Sequence, residues 1–336
     1  MTGPSVRLSA ARSPAAAELS RKAIHEADLR SAYRTCRRMQ RRHDPTFYCA
    51  TMRLPHRVRP AVHALYGFVR GADELVDGPA RAKDPDERRR ALDGWQAELE
   101  RGRANGYSRH PVIAALVDAG RRHDLPLDEL AAYMDSMRLD CGPVRVANRT
   151  ELDRYMRGSA GAVGLIMAPL LGTPAELHPA VAQLGTAFQL TNFIRDVRED
   201  YALDRVYLPA EDCARHGVTI DDIAARKMTD GLSALLAAEV RRARSMFAST
   251  ESLHQVLHPS VRPGIVLARS VYERILDRVE TLGFDVLAHR VRLSPRQLGA
   301  VGMAALAPAT WSRRTQPSST LPHPARPSDT RAGERA

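Results

Sequence analysis

Arg57–Asp77 reads RVRPAVHALYGFVRGADELVD, and Val181–Asp200 reads VAQLGTAFQLTNFIRDVRED. Each is an apolar helical pattern carrying a narrow acidic stripe. At about 100° per residue, Tyr66, Arg70, Asp73 and Asp77 fall within about 60° of one another. Gln189, Asn192, Asp196 and Asp200 fall within about 80° in the same way. Asp73 and Asp77 are an i, i+4 pair, as are Asp196 and Asp200. Carboxylates at that spacing repel each other. Both pairs also sit near helix C-termini, where the partial negative pole disfavours further negative charge. A chain that repeats this double penalty predicts two acidic walls facing across a cavity. There they would hold metals that bind a diphosphate. Magnesium suits the site because it takes carboxylate oxygens, keeps water and shares phosphate oxygens. Manganese is the alternative.

Working outward, the pattern predicts an all-α chain. Helices are expected over roughly 20–42, 57–77, 86–103, 110–122, 127–139, 150–171, 178–200, 220–250 and 262–290. Pro45, Pro55, Gly78-Pro79, Gly142-Pro143, Gly172-Thr173-Pro174, Pro209 and Pro263 punctuate them. Strand signals are weak throughout. The 336 residues are expected to divide into a flexible segment over 1–20, a helical domain over 21–305 and a disordered Pro/Arg/Ser-rich tail over 306–336.

Composition excludes several classes. Apolar residues make up 44% and charged residues 26%, as in a globular protein. The longest apolar run, near Ala160–Gly172, is too short to span a bilayer. Met1–Ala17 has no apolar signal core, and Cys36, Cys49, Cys141 and Cys213 form no C-x-x-C pair. A cytoplasmic location, with or without membrane association, is expected. The formal charge of +11 suits anionic partners. A basic helical nucleic-acid binder is the rival from another class. No arginine stripe on a single helix is expected, and no aromatic stacking motif supports that rival. The histidines lack ligand spacing.

The chain resembles the squalene/phytoene synthase family of head-to-head prenyltransferases. The landmarks are TFYCATMRLP (Thr46–Pro55), HALYGFVRGADELVDGP (His63–Pro79), YMRGSAGAVG (Tyr155–Gly164) and QLTNFIRDVREDYALDRVYLP (Gln189–Pro209). The resemblance, most like the bacterial phytoene-forming members, runs from about Ala32 to Leu298. It implies an isoprenoid synthase fold around one central cavity. It implies that Asp73, Asp77, Asp196, Asp200 and Asn192 hold magnesium, with Gln189 beside them. Arg70, Arg195 and Arg290 would contact diphosphate, with Thr46 also at the substrate. Phe47, Tyr66, Tyr155 and Tyr272 would line the space where cations form. Two positions depart from the usual pattern: Glu74 stands where Asp is common, and Thr46 where Ser is common. The implied substrates are two geranylgeranyl diphosphates, with diphosphate released and no nucleotide cofactor. The alternative is a farnesyl diphosphate-using presqualene diphosphate, dehydrosqualene or squalene synthase. Arg205–Pro209 reads as a loop able to close over the metals, or as a plain exit turn. Gly158, Gly161 and Gly164 read as a small-residue stripe for close approach of a helix or a polyprenyl chain.

Overall fold

The computed structural model describes residues 14–294, 296, 297 and 299, with side chains from residue 26 onward. Residues 1–13 and the expected tail over 306–336 lie outside the described residues. The helical expectation holds, with instructive differences at the ends. The first helix, α1 (Pro14–His43), starts ahead of the expected position 20. A short α2 (Pro45–Thr51) follows where only a break was expected. Its signal is local: Asp44 caps it by accepting from Phe47 N at 2.8 Å, and Pro45 occupies the first turn. Next come α3 (Arg59–Asp77), α4 (Pro85–Asn105), α5 (Pro111–His123) and α6 (Leu130–Leu139). Helices α4 and α5 begin on a proline and α3 has Pro60 as its second residue, where the missing N–H costs nothing.

The predicted helix over 150–171 is α7 (Arg149–Met156), a π-turn over Arg157–Gly161, and α8 (Ala162–Leu171). The predicted helix over 178–200 divides at Asp196 into α9 (His178–Arg195) and α10 (Val197–Ala202). The bend is mild. Asp196 N still bonds Asn192 O, and Asp200 N still bonds Asp196 O, both at 2.8 Å. The acidic stripe therefore survives it. Then come α11 (Ala210–Arg215), α12 (Ile220–Ala224), α13 (Asp230–Ser249), α14 (Ser252–Val256) and α15 (Arg262–Thr281). Helix α15 stops short of the expected 290 because Gly283 and Phe284 take positive φ, 60° and 64°, which a helix cannot continue through.

The packing forms a closed circuit. Helix α3 packs on α6, α6 on the π-turn and α8, α8 on α9, α9 on α15, α15 on α2, α2 on α1, and α1 back on α3. The face of α3 away from its acidic stripe presents Ala64, Phe68 and Ala72, all fully buried, with Phe68 stacked on Trp95 of α4. Burying Phe68 stabilises the chain by roughly 1.5–3 kcal/mol. Small residues on either side let neighbours close in. A Cβ on Gly158 would lie 2.2 Å from Ser136 Oγ, and one on Gly164 2.7 Å from Val181 O. The glycine stripe thus seats one helix against α6 and α9.

One pair of strands matters. β1 (Val144–Arg145) and β2 (Arg205–Val206) run parallel, with Val144 opposite Arg205. Arg205, Val206, Tyr207 and Leu208 are all buried. The RVYLP segment is a fixed strap and not an open loop. Its far end is held by Arg149, which bonds buried Asp212 at 3.1 Å and buried Glu239 on α13.

Candidate active site

Helix α3 contributes the first acidic stripe. Tyr133 Oη on α6 donates to Asp73 Oδ1 at 3.0 Å and to Val69 O at 3.1 Å. Burial nevertheless dominates and pushes the Asp73 carboxyl up to about 6. Asp77, one turn on, faces the strap. Arg205 grips it from both nitrogens, with Nη1 2.8 Å from Oδ2. Arg70 pairs with Glu74 on its own helix. Glu74, the departure from the usual motif, thus positions an arginine and leaves the stripe at Asp73 and Asp77.

Helices α9 and α10 contribute the second stripe. Arg195 Nε donates to Asp196 Oδ1 at 2.7 Å. Asp200 is pushed up to about 8, first by burial and then by the neighbouring Asp196 charge, while Arg205 pulls it back. Arg205 therefore stands between the two stripes, holding Asp77 and acting on Asp200. Asn192 Nδ2 reaches Gln189 Oε1 at 3.5 Å, but Asn192 Oδ1 is buried without a partner. A buried amide oxygen left unpaired is costly, and native structures rarely leave one so.

A hub that sequence reasoning missed lies below. Asp140, at the C-terminal end of α6, is buried and accepts from Tyr155 Oη at 2.5 Å and Tyr207 Oη at 2.7 Å. Its own carbonyl accepts from Arg205 Nη2 at 2.6 Å. Burial raises the Asp140 carboxyl to about 6, against the pull of Arg205 and both tyrosines. The rings of Tyr207 and Phe193 stack at 4.0 Å, and Tyr155 lies 5.1 Å from Tyr207. Tyr155 therefore serves this buried hub. Nothing in the spacing of Tyr133, Asp140 and Tyr207 marks them, since two elements far apart in the chain, α6 and the strap, bring them together.

Of the remaining candidates, Thr46 and Arg290 line a hollow, and Phe47 and Tyr272 pack against the core. A hollow of about 570 Å³ is lined by Thr46, Arg195, Asp196, Asp200 and Arg290. Arg290 Nε lies 3.5 Å from Glu199. Tyr272 stacks on Phe188 at 4.3 Å, and burial raises its hydroxyl. The Tyr66 hydroxyl is raised by burial first and then by Asp44, the cap of α2. Phe47 is half-buried against the core. Asp44, Tyr133, Asp140, Arg205 and Tyr207 join the predicted set.

The donors fit a hard divalent cation. Two carboxylate pairs, an orphaned amide oxygen and two acids held well above their ordinary range all gain from positive charge. Among the described residues, no three His, Cys, Asp or Glu side chains already converge as a cage.

A surface feature also departs from expectation. Arg30, Arg34, Arg37, Arg38, Arg41 and Arg42 are all exposed on α1. Helical spacing places them on one arc of about 140°. None forms an ion pair with a described residue. Residues 30–59 hold nine arginines and a single carboxylate, Asp44. An arginine stripe on one helix therefore exists. Its i, i+4, i+7, i+11 spacing is visible in the sequence.

Residues 40–297 match the model of the family described as squalene/phytoene synthase. The chain is 35% identical over 271 residues to a phytoene synthase of Thermus thermophilus, covering 80% of this chain and 90% of that protein. It is 34% identical over 278 residues to the chloroplastic phytoene synthase 2 of Solanum lycopersicum, covering 80% and 88%. Among solved structures, a squalene synthase of Alicyclobacillus acidocaldarius matches with TM-score 0.70 and 31% identity, covering 77% of this chain and 96% of that one. A dehydrosqualene synthase matches in fold with TM-score 0.76 at 24% identity, covering 84% and 97%.

Proposed function

The chain belongs to the squalene/phytoene synthase family of prenyltransferases, and on that premise we propose that it joins two geranylgeranyl diphosphates to make phytoene. The observation that carries the reading is that Arg205 binds Asp77 of the first acidic stripe and acts on Asp200 of the second, while Asn192 Oδ1 on the second stripe is buried and unpaired. Asp73, Asp77, Asn192, Asp196 and Asp200 would hold magnesium, which when bound neutralises the charge of a leaving diphosphate.

The chain's own residues do the rest. Arg70, Arg195 and Arg290 supply fixed positive charge for diphosphate oxygens. The C1–O bond of one substrate breaks, and diphosphate leaves with the electron pair. The C2=C3 bond of the second substrate attacks the allylic cation. Loss of a proton closes a cyclopropane, giving prephytoene diphosphate. A second ionisation, ring opening and proton loss give phytoene. The sum is two substrates to one hydrocarbon, two diphosphates and two protons, so no reductant is required. Tyr66, Tyr272 and Phe188 present aromatic faces that stabilise a cation without trapping it. The buried Tyr155–Tyr207–Phe193 stack excludes water below them.

The test is incubation with geranylgeranyl or farnesyl diphosphate plus magnesium, without reduced nicotinamide, followed by product mass. A C40 hydrocarbon is expected. A phosphate-free C30 product from farnesyl diphosphate, with none from geranylgeranyl diphosphate, overturns the choice. That second reading draws on the fold likeness to squalene-type synthases. Asp73→Asn and Asp196→Asn should each lower kcat by about 100-fold or more.

The same reading includes contact with an anionic membrane, where such water-insoluble substrates reside. Among the described residues no helix is long and apolar enough to cross one. The α1 arginines supply a face about 18 Å long for lipid phosphates. Arg37 joins that face to α2 through Tyr48 Oη at 2.9 Å, and α2 carries Thr46 to the site mouth. Arg34→Glu with Arg38→Glu and Arg41→Glu should weaken binding to phosphatidylglycerol vesicles by about 100-fold at low salt. Unchanged vesicle binding, or preferential binding of duplex DNA, sinks the idea.

A further inference from the structure

A second hollow of about 540 Å³ adjoins the first at Leu203, which lines both. Arg81, Lys83, Arg88 and Arg205 line it, together with the carboxylates Asp77 and Asp204. Both carboxylates are already engaged: Asp77 by Arg205, and Asp204 by Arg145. Arg81 makes only a 3.4 Å bond to the Asp77 carbonyl. Arg81, Lys83 and Arg88 form no ion pair with a described residue, and Arg88 Nε is buried without a partner. The hollow therefore presents cations with nothing to neutralise them.

We propose that this hollow is a diphosphate-binding site that receives the inorganic pyrophosphate released by the reaction. The assignment rests on the proposed function. Each turnover frees two pyrophosphates beside carboxylates that the next substrates need. Asp77 and Arg205 form the wall common to the first acidic stripe and the hollow, so the transfer path is short. Guanidinium forks and an ammonium group suit a compact polyanion. No bond is made or broken in the transfer.

The test is calorimetric titration of the full-length chain with inorganic pyrophosphate in magnesium-free buffer containing a chelator. Binding is expected for the parent protein. It should weaken by about tenfold or more in Lys83→Glu and in Arg88→Gln, and change by less than about twofold in Arg290→Gln. Because Arg88 is partly buried, exposed Lys83 and Arg81→Glu serve as variants that leave the packing intact, checked by melting temperature. Absence of magnesium-independent binding overturns the proposal. So does binding lost in Arg290→Gln yet kept in Lys83→Glu. Geranyl diphosphate provides the second arm. If it displaces pyrophosphate with equal affinity, the hollow is a substrate head-group site and the release role fails. The titration needs no turnover. An error in the assigned prenyl chain length would thus appear in the product assay and leave this result untouched.

Discussion

Asp140 has both carboxylate oxygens and its carbonyl occupied, by Tyr155, Tyr207 and Arg205. It touches no reacting atom, yet it orders three groups at once. Asp140→Asn keeps the size and removes the charge, so one tyrosine loses its acceptor. Loss of such an outer partner should lower kcat by about 10–100-fold with KM little changed. Steady-state kinetics beside Tyr207→Phe separates this from unfolding. Asn192→Leu removes the orphaned oxygen, and magnesium affinity should fall by a similar factor in a direct titration. The acidic stripes were legible because D-x-x-x-D is a local spacing on a helix. Asp140 was not, because its partners lie 15 and 67 positions away. Tyr155 was singled out for the cation cavity, but what fixes its place is a hydrogen bond that spacing does not reveal.

Among elements, α8 and the anchor of the strap are packed tightly enough to test by single substitutions. A Cβ on Gly164 would meet Val181 O at 2.7 Å and Ala182 Cα at 2.8 Å. Both are backbone atoms of α9 and cannot swing aside. Gly164→Ala should therefore destabilise by about 1–3 kcal/mol, read as a lower denaturant midpoint. Arg149→Leu leaves nearly dry Asp212 with Arg215 alone and nearly dry Glu239 with Arg242 at 3.7 Å, and should cost about 1–3 kcal/mol. Helices were readable from apolar period and proline punctuation. The break at Asp196 and the early stop of α15 were not. The first preserves its hydrogen bonds through the bend. The second depends on the left-handed turn at Gly283 and Phe284.

At the scale of the whole molecule, the raised acids couple stability to pH and metal. Asp73 and Asp200 sit near 6 and 8, above the ordinary carboxylate value of 3.8. Groups raised on folding favour the folded state fully below about 4, and that favour drains away as pH climbs through 6 and 8. The metal-free melting temperature should thus fall between about pH 5 and 8. Magnesium should restore more of it at pH 8 than at pH 6, because its ligands must be ionised. Thermal melts at both values, with and without magnesium, check the sign. The acidic stripes predict two walls across a cavity, and the single bundle around that cavity comes from the family resemblance. The order of packing around the circuit was not legible, because it rests on contacts between elements distant in the chain. The arginine stripe was equally open to reading from its spacing, and only the exposed outer arc of α1 made it plain.

The strap joins Val144 to Arg205, and Arg205 reaches back to Asp77, 128 positions earlier. A ribosome must therefore deliver most of the domain before the mouth can be assembled. The nascent chain is spared an early, half-built catalyst that could bind a reactive diphosphate and leave its cation open to water.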